Sequence, residues 1–530
     1  MNQMKTPGVY IVEKNAFPNA VVEVATAVPA FIGYTETADH GGLDLQGKPW
    51  RITSMDEFEA CFGGPPEPRF RVKRVADPAA DPRTAVDMAQ PRPQVSEFVH
   101  NGHAYRLSRE PGKAGNRYLM HAAMRHFFQN GGGPCYVVSV GLYGDAARAP
   151  DIEAGDDQRG LIGGLAPLRK EQEPTLLVVP DAVLLSSGDC TAVQAAVLKH
   201  CGGDMRNRFA ILDVWGGDRG RDDPAGDCIE RFRHGIGSNF LGFGAAYYPW
   251  MHTALMEAGD FRYWMLENVA DLALLISEEL QLDQAAADDK AAELHRRTLA
   301  DMTRSGMDAV SQRMQLDKSL LAMSELYARI RDEALVQMNL MPPSAAMAGL
   351  YTMDDNTRGV WKAPASLSMA GVIAPAVPIS TDEQEDLNVS ADGKSINAIR
   401  SFMGEGVLVW GGRTLDGNSP DWRDINVRRT MIMIEESCRL AAKAFVFEAN
   451  VQGTWAKLQA MMTDYLTSVW KRGGLAGAVP GDAFSVQVGL GQTMTPEDIL
   501  EGILRITVRV AISRPAEFME ITFQQQMQKS

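Results

Sequence analysis

The amino-acid sequence predicts a multidomain protein of the α/β and α+β classes. The chain has 530 residues and a mass of 57.9 kDa, which is more than one hydrophobic core normally serves. Short apolar runs alternate with helical patterns in the first half of the chain. Near the C-terminus, two amphipathic helical patterns are followed by segments in which apolar and polar residues alternate, as they do in half-buried strands. Length and patterning together therefore predict several domains.

The N-terminal segment, residues 1–25, is predicted to be an extended linker arm. Its apolar residues are too few to form a core of their own. The strand-like residues of this arm are Val9, Tyr10, Ile11 and Val12. A strand without a partner in its own domain is a template for pairing with another chain. The arm is therefore a candidate for exchange between copies, and the alternative is that it pairs within its own chain.

Residues 26–64 and 116–264 are predicted to form one or more α/β domains. Helical patterns cover Tyr118–Gly131 and Cys190–Cys201. Short apolar runs of the kind found in buried strands occur at Cys135–Val138, Leu176–Val179, Phe209–Val214 and Ala245–Trp250. Strands that alternate with helices along a chain are typical of the α/β class.

Two further segments read as insertions. Residues 65–115 are rich in Pro, Arg and Asp and have no sustained period, so we expect an insertion or a long surface loop. Residues 265–340 contain no proline and predict a helical insertion of two or more helices. The helical pattern, with apolar residues three or four positions apart, is clearest at Leu316, Leu320, Met323, Tyr327 and Ile330.

Residues 341–513 are predicted to form a C-terminal domain. Thr495-Pro496-Glu497-Asp498 is a helix start, with a capping hydroxyl, a proline at the first helical position and acid in the first turn. The strand candidates that follow are Leu504, Ile506, Val508, Val510 and Ile512. Residues 514–530 are predicted to be a C-terminal arm, whose strand-like residues are Met519, Ile521 and Phe523.

Composition excludes several classes of protein. The formal net charge of −15 argues against a general surface for nucleic acid or anionic membrane. The six cysteines have no Cys-x-x-Cys spacing, which favours reduced thiols in a cytoplasmic protein. The sequence has neither a signal peptide nor an apolar run of about 18 residues, so we expect no membrane insertion.

A search for catalytic, cofactor and metal motifs predicts none of the three. Gly42-x-x-x-x-Gly47-Lys48 begins like a phosphate loop, but Pro49 replaces the Ser or Thr that would bind magnesium. Gly393-Lys394-Ser395 lacks the first glycine of that motif, because Asn388 stands there. His121 and His126 are five residues apart and share a helix face poorly as metal ligands. No nucleophile, base and orienting group come together in the sequence, so an enzyme is not expected.

Several segments, in order, resemble the motif blocks of contractile-tail sheath proteins. The blocks are Pro342-Pro343-Ser344, Arg358 to Pro364, Val409 to Thr414, Asn426 to Arg429, Phe447 to Asn450 and Arg514 to Phe518. The opening Thr6-Pro7-Gly8-Val9-Tyr10 also resembles that family. The motif residues are Trp361, Trp410, Arg413, Arg428, Arg429, Glu448, Trp455, Pro515, Glu517 and Phe518. Ala449 and Ser366 depart from the pattern, where such proteins usually have proline and asparagine.

The resemblance implies an assembly domain built from the N- and C-terminal parts of the chain, with an inserted outer α/β domain and a helical insertion. It implies a sheath subunit that polymerises around an inner tube, held extended and metastable until it contracts. The implied partners are other copies of the chain, in a helical polymer usually built of six-fold rings, the tube protein, and baseplate and terminator or cap proteins. It implies no cofactor, assembly in the bacterial cytoplasm, and then a place in a phage tail or an injection particle. The alternatives are a sheath paralogue or a cap or baseplate-proximal part, and, more remotely, a phosphate-handling α/β enzyme.

Overall fold

The computed structural model describes residues 20–75, 94–109, 118–143, 152–286, 288–304 and 309–517. The chain divides into two compact units. The central unit is Thr26–Arg428, and the terminal unit joins the chain up to Ala25 with the chain from Arg429 onward. Within the described ranges, no helix is both long and apolar enough to cross a bilayer.

The central unit contains most of the secondary structure. Its strands are β1 Pro29–Thr35, β2 Asp39–His40, β3 Leu43–Asp44, β4 Trp50–Ile52, β5 Phe70–Val75, β6 Gln94–His100, β7 His103–Arg109, β8 Cys135–Leu142, β9 Leu176–Val178, β10 Phe209–Asp213, β11 Gly244–Tyr248, β12 Met251–Thr253, β13 Leu340–Met341, β14 Leu367–Ser368, β15 Val372–Pro375, β16 Asn397–Phe402 and β17 Gly406–Trp410. Its helices are α1 Met55–Phe62, α2 Met120–Gln129, α3 Gly160–Gly163, α4 Leu165–Leu168, α5 Ser187–Lys199, α6 Cys228–Gly235, α7 Val269–Glu279, α8 Lys290–Thr303, α9 Val310–Met323, α10 Glu325–Met338, α11 Ser344–Arg358 and α12 Thr381–Asn388.

A nine-stranded sheet, counted over the described residues, organises this unit. Its order is β14-β17-β16-β11-β10-β9-β1-β8-β4. Neighbouring strands from β16 to β8 pair in parallel. At the ends of the sheet, β17 pairs antiparallel with both β16 and β14, and β4 pairs antiparallel with β8. Strands β1, β9 and β10 are buried along their whole length, because helices cover both faces of a parallel sheet. Helices α5 and α6 pack on one face, and α2 and α11 pack on the other. The predicted fold class is confirmed.

Two buried carboxylates follow inner strands and bind the backbone of neighbouring segments. Asp181 follows β9 and accepts N–H groups of Tyr34 at 2.9 Å and Leu119 at 2.6 Å. Asp213 ends β10 and accepts the Ser344 N–H at 2.8 Å and its hydroxyl at 2.5 Å. Burial raises the pKa of Asp181 to about 6 and that of Asp213 to about 7. Asp213 thereby fastens the start of α11 to the sheet.

The predicted C-terminal domain of residues 341–513 is wrong at its first boundary. Residues 341–428 belong to the central unit, and the terminal unit begins at Arg429. Strand β16 pairs in parallel with β11, with Tyr247 opposite Asn397 and Tyr248 opposite Ala398. A parallel pairing between strands so far apart in sequence leaves no local signal, which is why sequence patterning misses it.

The interpretation of residues 65–115 as a surface loop is also wrong for the described part of that segment. Strands β5, β7 and β6 form an antiparallel sheet in that order. Phe70 and Val72 are buried, while Arg71 and Lys73, which alternate with them, are exposed. This is strand alternation over a few residues, too short to stand out among the surrounding prolines.

The two predicted insertions pack together around one hydrophobic core. Within residues 265–340, the described residues include helices α7 to α10, and their apolar faces join the buried face of the β5-β7-β6 sheet. His100 on β6 lies 2.9 Å from the Glu279 carboxylate. Glu279 also accepts the Ser324 hydroxyl at 2.5 Å and the Leu326 N–H at 2.7 Å. We call β5, β6, β7 and residues 261–338 the two-insertion module.

The terminal unit is built on two long helices. Its elements are α13 Ile425–Lys443, which begins in the central unit, α14 Gln452–Lys471, α15 Pro480–Ala483, β18 Phe484–Gln487, α16 Pro496–Leu500 and β19 Thr507–Val510. One side of α14 is buried through Leu458, Met462, Leu466 and Val469, at helical spacing. Gly473 follows this helix with φ of +89°, a conformation that favours glycine.

Candidate assembly surface

A small antiparallel sheet in the terminal unit carries the predicted assembly strand. In β18 and β19, Phe484 pairs with Val510 and Val486 with Val508. Ile512 pairs with Leu475 as an isolated antiparallel bridge. The remaining strand candidates, Leu504 and Ile506, precede β19. All five candidates are half-buried.

Within the described part of the chain, this sheet has two named strands, and Gln459 on α14 donates to the Val486 carbonyl of β18 at 2.9 Å. There, β18 and β19 pair with each other and with no other named strand. An edge strand presents unpaired N–H and C=O groups along one side, and an isolated two-stranded ribbon is marginally stable in water. The sheet therefore has the geometry of an acceptor for additional strands.

The predicted helix start at Thr495 is confirmed, and it leads the chain into β19. The Thr495 hydroxyl accepts the Asp498 N–H at 3.3 Å, and the Asp498 carboxylate accepts the Thr495 N–H at 3.0 Å. Asp498 also pairs with Arg505 at 3.0 Å. The Arg505 hydrogen bond is the main cause of the lowered pKa of Asp498.

The last residues of the predicted N-terminal arm lie on the long helices of the terminal unit. The Val24 N–H donates to the Ser437 hydroxyl on α13 at 3.1 Å. Glu23 forms a two-pronged ion pair with Arg472, which directly follows α14. The hydrogen bond that Arg472 donates to the Glu23 carboxylate raises the pKa of the guanidinium. The unit therefore contains both an early and a late part of the chain.

A loop between α13 and α14 leaves large apolar side chains exposed. Val446, Phe447 and Val451 are exposed, and Phe447 is fully accessible. Phe447 also has φ of +75°, which is unusual for a bulky residue. Asn450 fixes this loop, because its amide donates to the Ile503 carbonyl at 3.1 Å and accepts the Trp455 indole N–H at 2.7 Å.

Two arginines of the motif blocks have structural positions in the central unit. The Arg413 N–H donates to the Asn397 side chain at 2.8 Å, next to the sheet. The Arg428 guanidinium lies over the Trp422 ring, 3.6 Å from its centroid, and over the Phe243 ring at 4.3 Å. These contacts hold the turns after β17 against the sheet.

The tryptophans of the motif blocks in the central unit differ in exposure. Trp361 is buried, and its carbonyl accepts the Asn426 side-chain amide at 2.9 Å. Trp410 is 40% exposed, and its ring packs on Phe402 with 4.5 Å between centroids.

The remaining motif and arm residues are distributed as follows. Arg429 is buried, Trp455 and Pro515 are half-buried, and Glu448 and Glu517 are exposed. The arm and motif residues Val9, Tyr10, Ile11, Val12, Phe518, Met519, Ile521 and Phe523 lie outside the described residues.

The candidate phosphate loop does not have the required geometry. Gly42 lies in the turn between β2 and β3, and Lys48 donates to the Asp44 carbonyl at 2.7 Å. The segment leads into strand β4, whereas a phosphate loop leads into a helix. His121 contacts Glu59 at 3.0 Å, and burial lowers the pKa of the separate His126 to about 4.

One set of possible metal ligands was missed by the sequence analysis. Glu230, His234 and Asp392 place one ligand atom each within 4.8 Å of one another. Glu230 and His234 are four residues apart on α6, a spacing that could have been noticed, but Asp392 comes from a distant part of the chain.

A sequence profile for the phage tail sheath C-terminal domain matches residues 418–526. The tail sheath protein of Vibrio phage KVP40 is 27% identical over 138 residues, which is 26% of this chain and 20% of that protein. A putative prophage major tail sheath protein of Pseudomonas aeruginosa UCBPP-PA14 is 26% identical over 29% of this chain and 41% of that protein. The tail sheath protein of Enterobacteria phage T4 is 24% identical over 26% of this chain and 20% of that protein. The matched regions thus span less than half the length of these relatives.

Solved structures share the fold over nearly the whole chain. A chain of the contracted helical sheath of the anti-feeding prophage is 26% identical, covers 99% of this chain and 100% of that chain, and has a TM-score of 0.58. A chain of the anti-feeding prophage baseplate structure is also 26% identical, with the same coverage and a TM-score of 0.56. A chain of the contracted PVC sheath complex shares the fold at 24% identity and a TM-score of 0.55, covering 99% of both chains. Together with the matched C-terminal domain, these similarities confirm the predicted resemblance of this chain to contractile-tail sheath proteins.

Proposed function

We propose that this protein is the structural subunit of a contractile tail sheath. Copies polymerise around an inner tube in an extended, metastable state and contract to drive the tube through a target envelope. The observation that carries the proposal is the β18–β19 sheet, which pairs with no further named strand in the described part of the chain.

The arms of neighbouring copies are the proposed occupants of the edges of this sheet. Val24 contacts α13 and Glu23 contacts Arg472 directly after α14, so the described end of the arm belongs to the terminal unit. The N-terminal segment around Val9 to Val12 and the C-terminal segment around Met519 to Phe523 have strand alternation. Strand addition supplies main-chain hydrogen bonds for affinity and alternating side chains for register.

Such an interface joins two different surfaces of identical subunits. Heterologous contacts generate rings or helices instead of closed dimers, which fits a helical polymer built of six-fold rings. Val446, Phe447 and Val451, exposed within one short loop of the terminal unit, support an interface there, because clustered exposed apolar side chains mark interaction surfaces. The further proposed partners are the tube protein, baseplate proteins and a terminator or cap.

The proposed work is mechanical and uses no nucleotide. The extended state stores free energy in interfaces that improve on contraction, and paired arms keep the subunits attached while they rotate. Assembly takes place in the bacterial cytoplasm, and the product becomes part of a phage tail or an injection particle. A second candidate is a baseplate-proximal or cap copy, which the similarity to a chain of the anti-feeding prophage baseplate structure favours.

Two truncations test the assembly model in the full chain co-expressed with its tube. Removing residues 1–20, or everything after Arg514, should leave a soluble, folded subunit that builds no long sheath in electron micrographs. Tyr10→Pro with Val12→Pro should do the same at unchanged length, because proline removes ladder hydrogen bonds. Leu294→Asp, at an exposed position in the two-insertion module, serves as the control and should assemble normally. Sheaths of normal length from either truncation would refute arm exchange.

A second experiment addresses transmission of the motion. A Gly/Ser insertion of about six residues between Asn15 and Asn19 slackens the proposed tether. We expect such particles to assemble and to remain extended when triggered. Normal contraction of these particles, or contraction that depends on added ATP or GTP, would contradict the tethered mechanism.

A further inference from the structure

We propose that Glu230, His234 and Asp392 form a binding site for a divalent transition-metal ion of the zinc type. The three side chains offer two carboxylates and one imidazole, and one ligand atom of each lies within 4.8 Å of the others. In a tetrahedral zinc site with bonds of about 2.0–2.2 Å, ligand atoms are about 3.3–3.6 Å apart. Because Glu230 is half-buried and the other two are exposed, small rotamer changes can close the remaining distance.

The backbone on both sides of this cluster is held in place. Helix α6 is capped by Asp227, whose carboxylate accepts the Ile229 N–H at 2.8 Å. Asp392 lies in a turn in which the Gly393 N–H donates to the Ser390 carbonyl at 3.1 Å and the Lys394 N–H to the Ser390 hydroxyl at 3.0 Å. Neither ligand-bearing segment therefore has to fold when an ion binds.

A buried arginine joins the two segments directly. Arg233 lies between the ligands Glu230 and His234 on α6, and its guanidinium donates to the Lys394 carbonyl at 3.3 Å and to the Asp386 carbonyl at 2.6 Å. In return, the Lys394 ammonium donates to the Arg233 carbonyl. These bonds cross from the helix to the turn, so they set the spacing of the three ligands before any ion is present.

The charges around the cluster leave its ligands available. Arg233 is paired with the Asp386 carboxylate at 2.9 Å, and Arg221 is paired with both Asp386 and Asp227. Glu230 uses one oxygen, Oε1, for its contacts with Arg233 at 3.2 Å and with Arg221 at 3.6 Å, and its other oxygen has no ion-pair contact among the described residues. Among the described residues, neither the His234 imidazole nor the Asp392 carboxylate has a hydrogen-bond or ion-pair partner. Two carboxylates and one imidazole thus lie around a position at which a dication would offset the carboxylate charge.

The donor set selects the class of metal. Imidazole nitrogen with carboxylate oxygen suits Zn²⁺, Co²⁺ and Ni²⁺, whereas Mg²⁺ and Ca²⁺ favour oxygen ligands alone. Three protein ligands leave at least one position for water or another donor. A bound ion would clamp α6 to the turn before β16, which is a stabilising role independent of the proposed arm exchange.

Calorimetric titration of the full chain with ZnCl₂ tests this site at neutral pH. We expect one ion bound per chain at this site, and at least tenfold weaker binding in His234→Ala and in Asp392→Asn. His295→Ala and Asp288→Asn exchange the same residue types elsewhere and should bind like the wild type. Circular dichroism verifies the fold of each variant. Co²⁺ should give visible absorption bands in the wild type and in the controls, and these bands should be lost in the two site variants.

Two results would overturn the assignment. The first is equal Zn²⁺ affinity and equal Co²⁺ spectra in the wild type, His234→Ala and Asp392→Asn, which would place any bound ion elsewhere. The second is Mg²⁺ binding as tight as Zn²⁺ binding, which would contradict a nitrogen-containing ligand set. Sheath assembly is scored separately, so failure of this site leaves the proposed function untouched.

Discussion

Replacing Asp213 with asparagine removes a buried carboxylate and keeps an oxygen that can accept the Ser344 N–H. Burial raises the pKa of Asp213 from 3.8 to about 7 in the folded chain. The folded state therefore holds this proton more tightly than the unfolded state. The resulting stabilisation is complete below pH 3.8 and is lost as the pH rises through 7.

The size of this effect follows from the two pKa values. With 3.8 for the unfolded chain and about 7 for the folded chain, Asp213 contributes about 1.4 kcal/mol of stability at pH 6 and about 0.1 kcal/mol at pH 8. The free energy of unfolding of the wild type, relative to Asp213→Asn, should therefore fall by about 1.3 kcal/mol between these pH values. Asp181 titrates in the same way in both proteins and cancels in the difference.

Urea unfolding followed by tryptophan fluorescence at pH 6, 7 and 8 measures this difference. Asp288→Asn, at an exposed position, is the control and should track the wild type at each pH. A difference between wild type and Asp213→Asn that stays constant, or grows in favour of the wild type as the pH rises, would refute the reasoning. It would mean that the Ser344 donors outweigh burial and keep Asp213 ionised.

Three further predictions concern the rest of the central unit. If residues 65–117 and residues 257–338 are both replaced with short Gly/Ser linkers, the chain should stay soluble. Replacing only one of the two segments should cause aggregation, because it uncovers the core that they share. Sedimentation of the three variants tests this. Glu279→Gln should lower the free energy of unfolding by about 1–3 kcal/mol in a urea titration, because three hydrogen-bond donors lose a carboxylate acceptor. The control Glu278→Gln, at the exposed ion pair with Arg74, should change the free energy of unfolding by less than about 1 kcal/mol. Burial and the charge of Arg208 lower the pKa of His200 to about 4. The free energy of unfolding of the wild type, relative to His200→Gln, should therefore fall by about 0.8 kcal/mol between pH 7.5 and pH 6. The same difference in unfolding free energy at both pH values would contradict this.

The excision prediction depends on where the chain enters and leaves the module. The Met256 N–H donates to the Asn339 side chain at 2.8 Å, so the ends of the helical segment are adjacent. The Tyr143 hydroxyl donates a hydrogen bond to the Gly64 carbonyl at 2.6 Å, and the Tyr143 ring stacks on the Tyr118 ring with 4.6 Å between their centroids. The ends of the first segment are therefore close as well, and short linkers can span both gaps.

Local chemistry accounts for the parts of the fold that sequence patterning predicts. The predicted runs at Leu176 and Phe209 are strands β9 and β10, because a parallel strand buried on both faces needs a continuous apolar sequence. The helix start at Thr495 depends on residues three apart, which a sequence displays directly.

Non-local pairing accounts for what patterning misses. The place of β16 beside β11 joins positions on either side of the two-insertion module, and no local feature of Asn397 or Ala398 indicates it. The same holds for Asp392, which meets Glu230 and His234 through folding alone. In the candidate assembly surface, strand alternation indicates the strand at Val508 and Val510, because these residues pair with the nearby β18, and their role in assembly stays a prediction.

The division of the two-insertion module between distant parts of the chain affects its synthesis on the ribosome. Strands β5 to β7 are complete once Arg109 has been made, but the helical half ends only at Met338. Translation proceeds at about 5–20 residues per second, so the apolar face of those strands stays uncovered for roughly 10–50 seconds until helices α7 to α10 have been synthesised. Phe70, Val72 and Leu107 are exposed to other nascent chains during that interval. The module should thus depend on a chaperone during synthesis. Slower translation between its two halves should reduce the soluble yield of the protein.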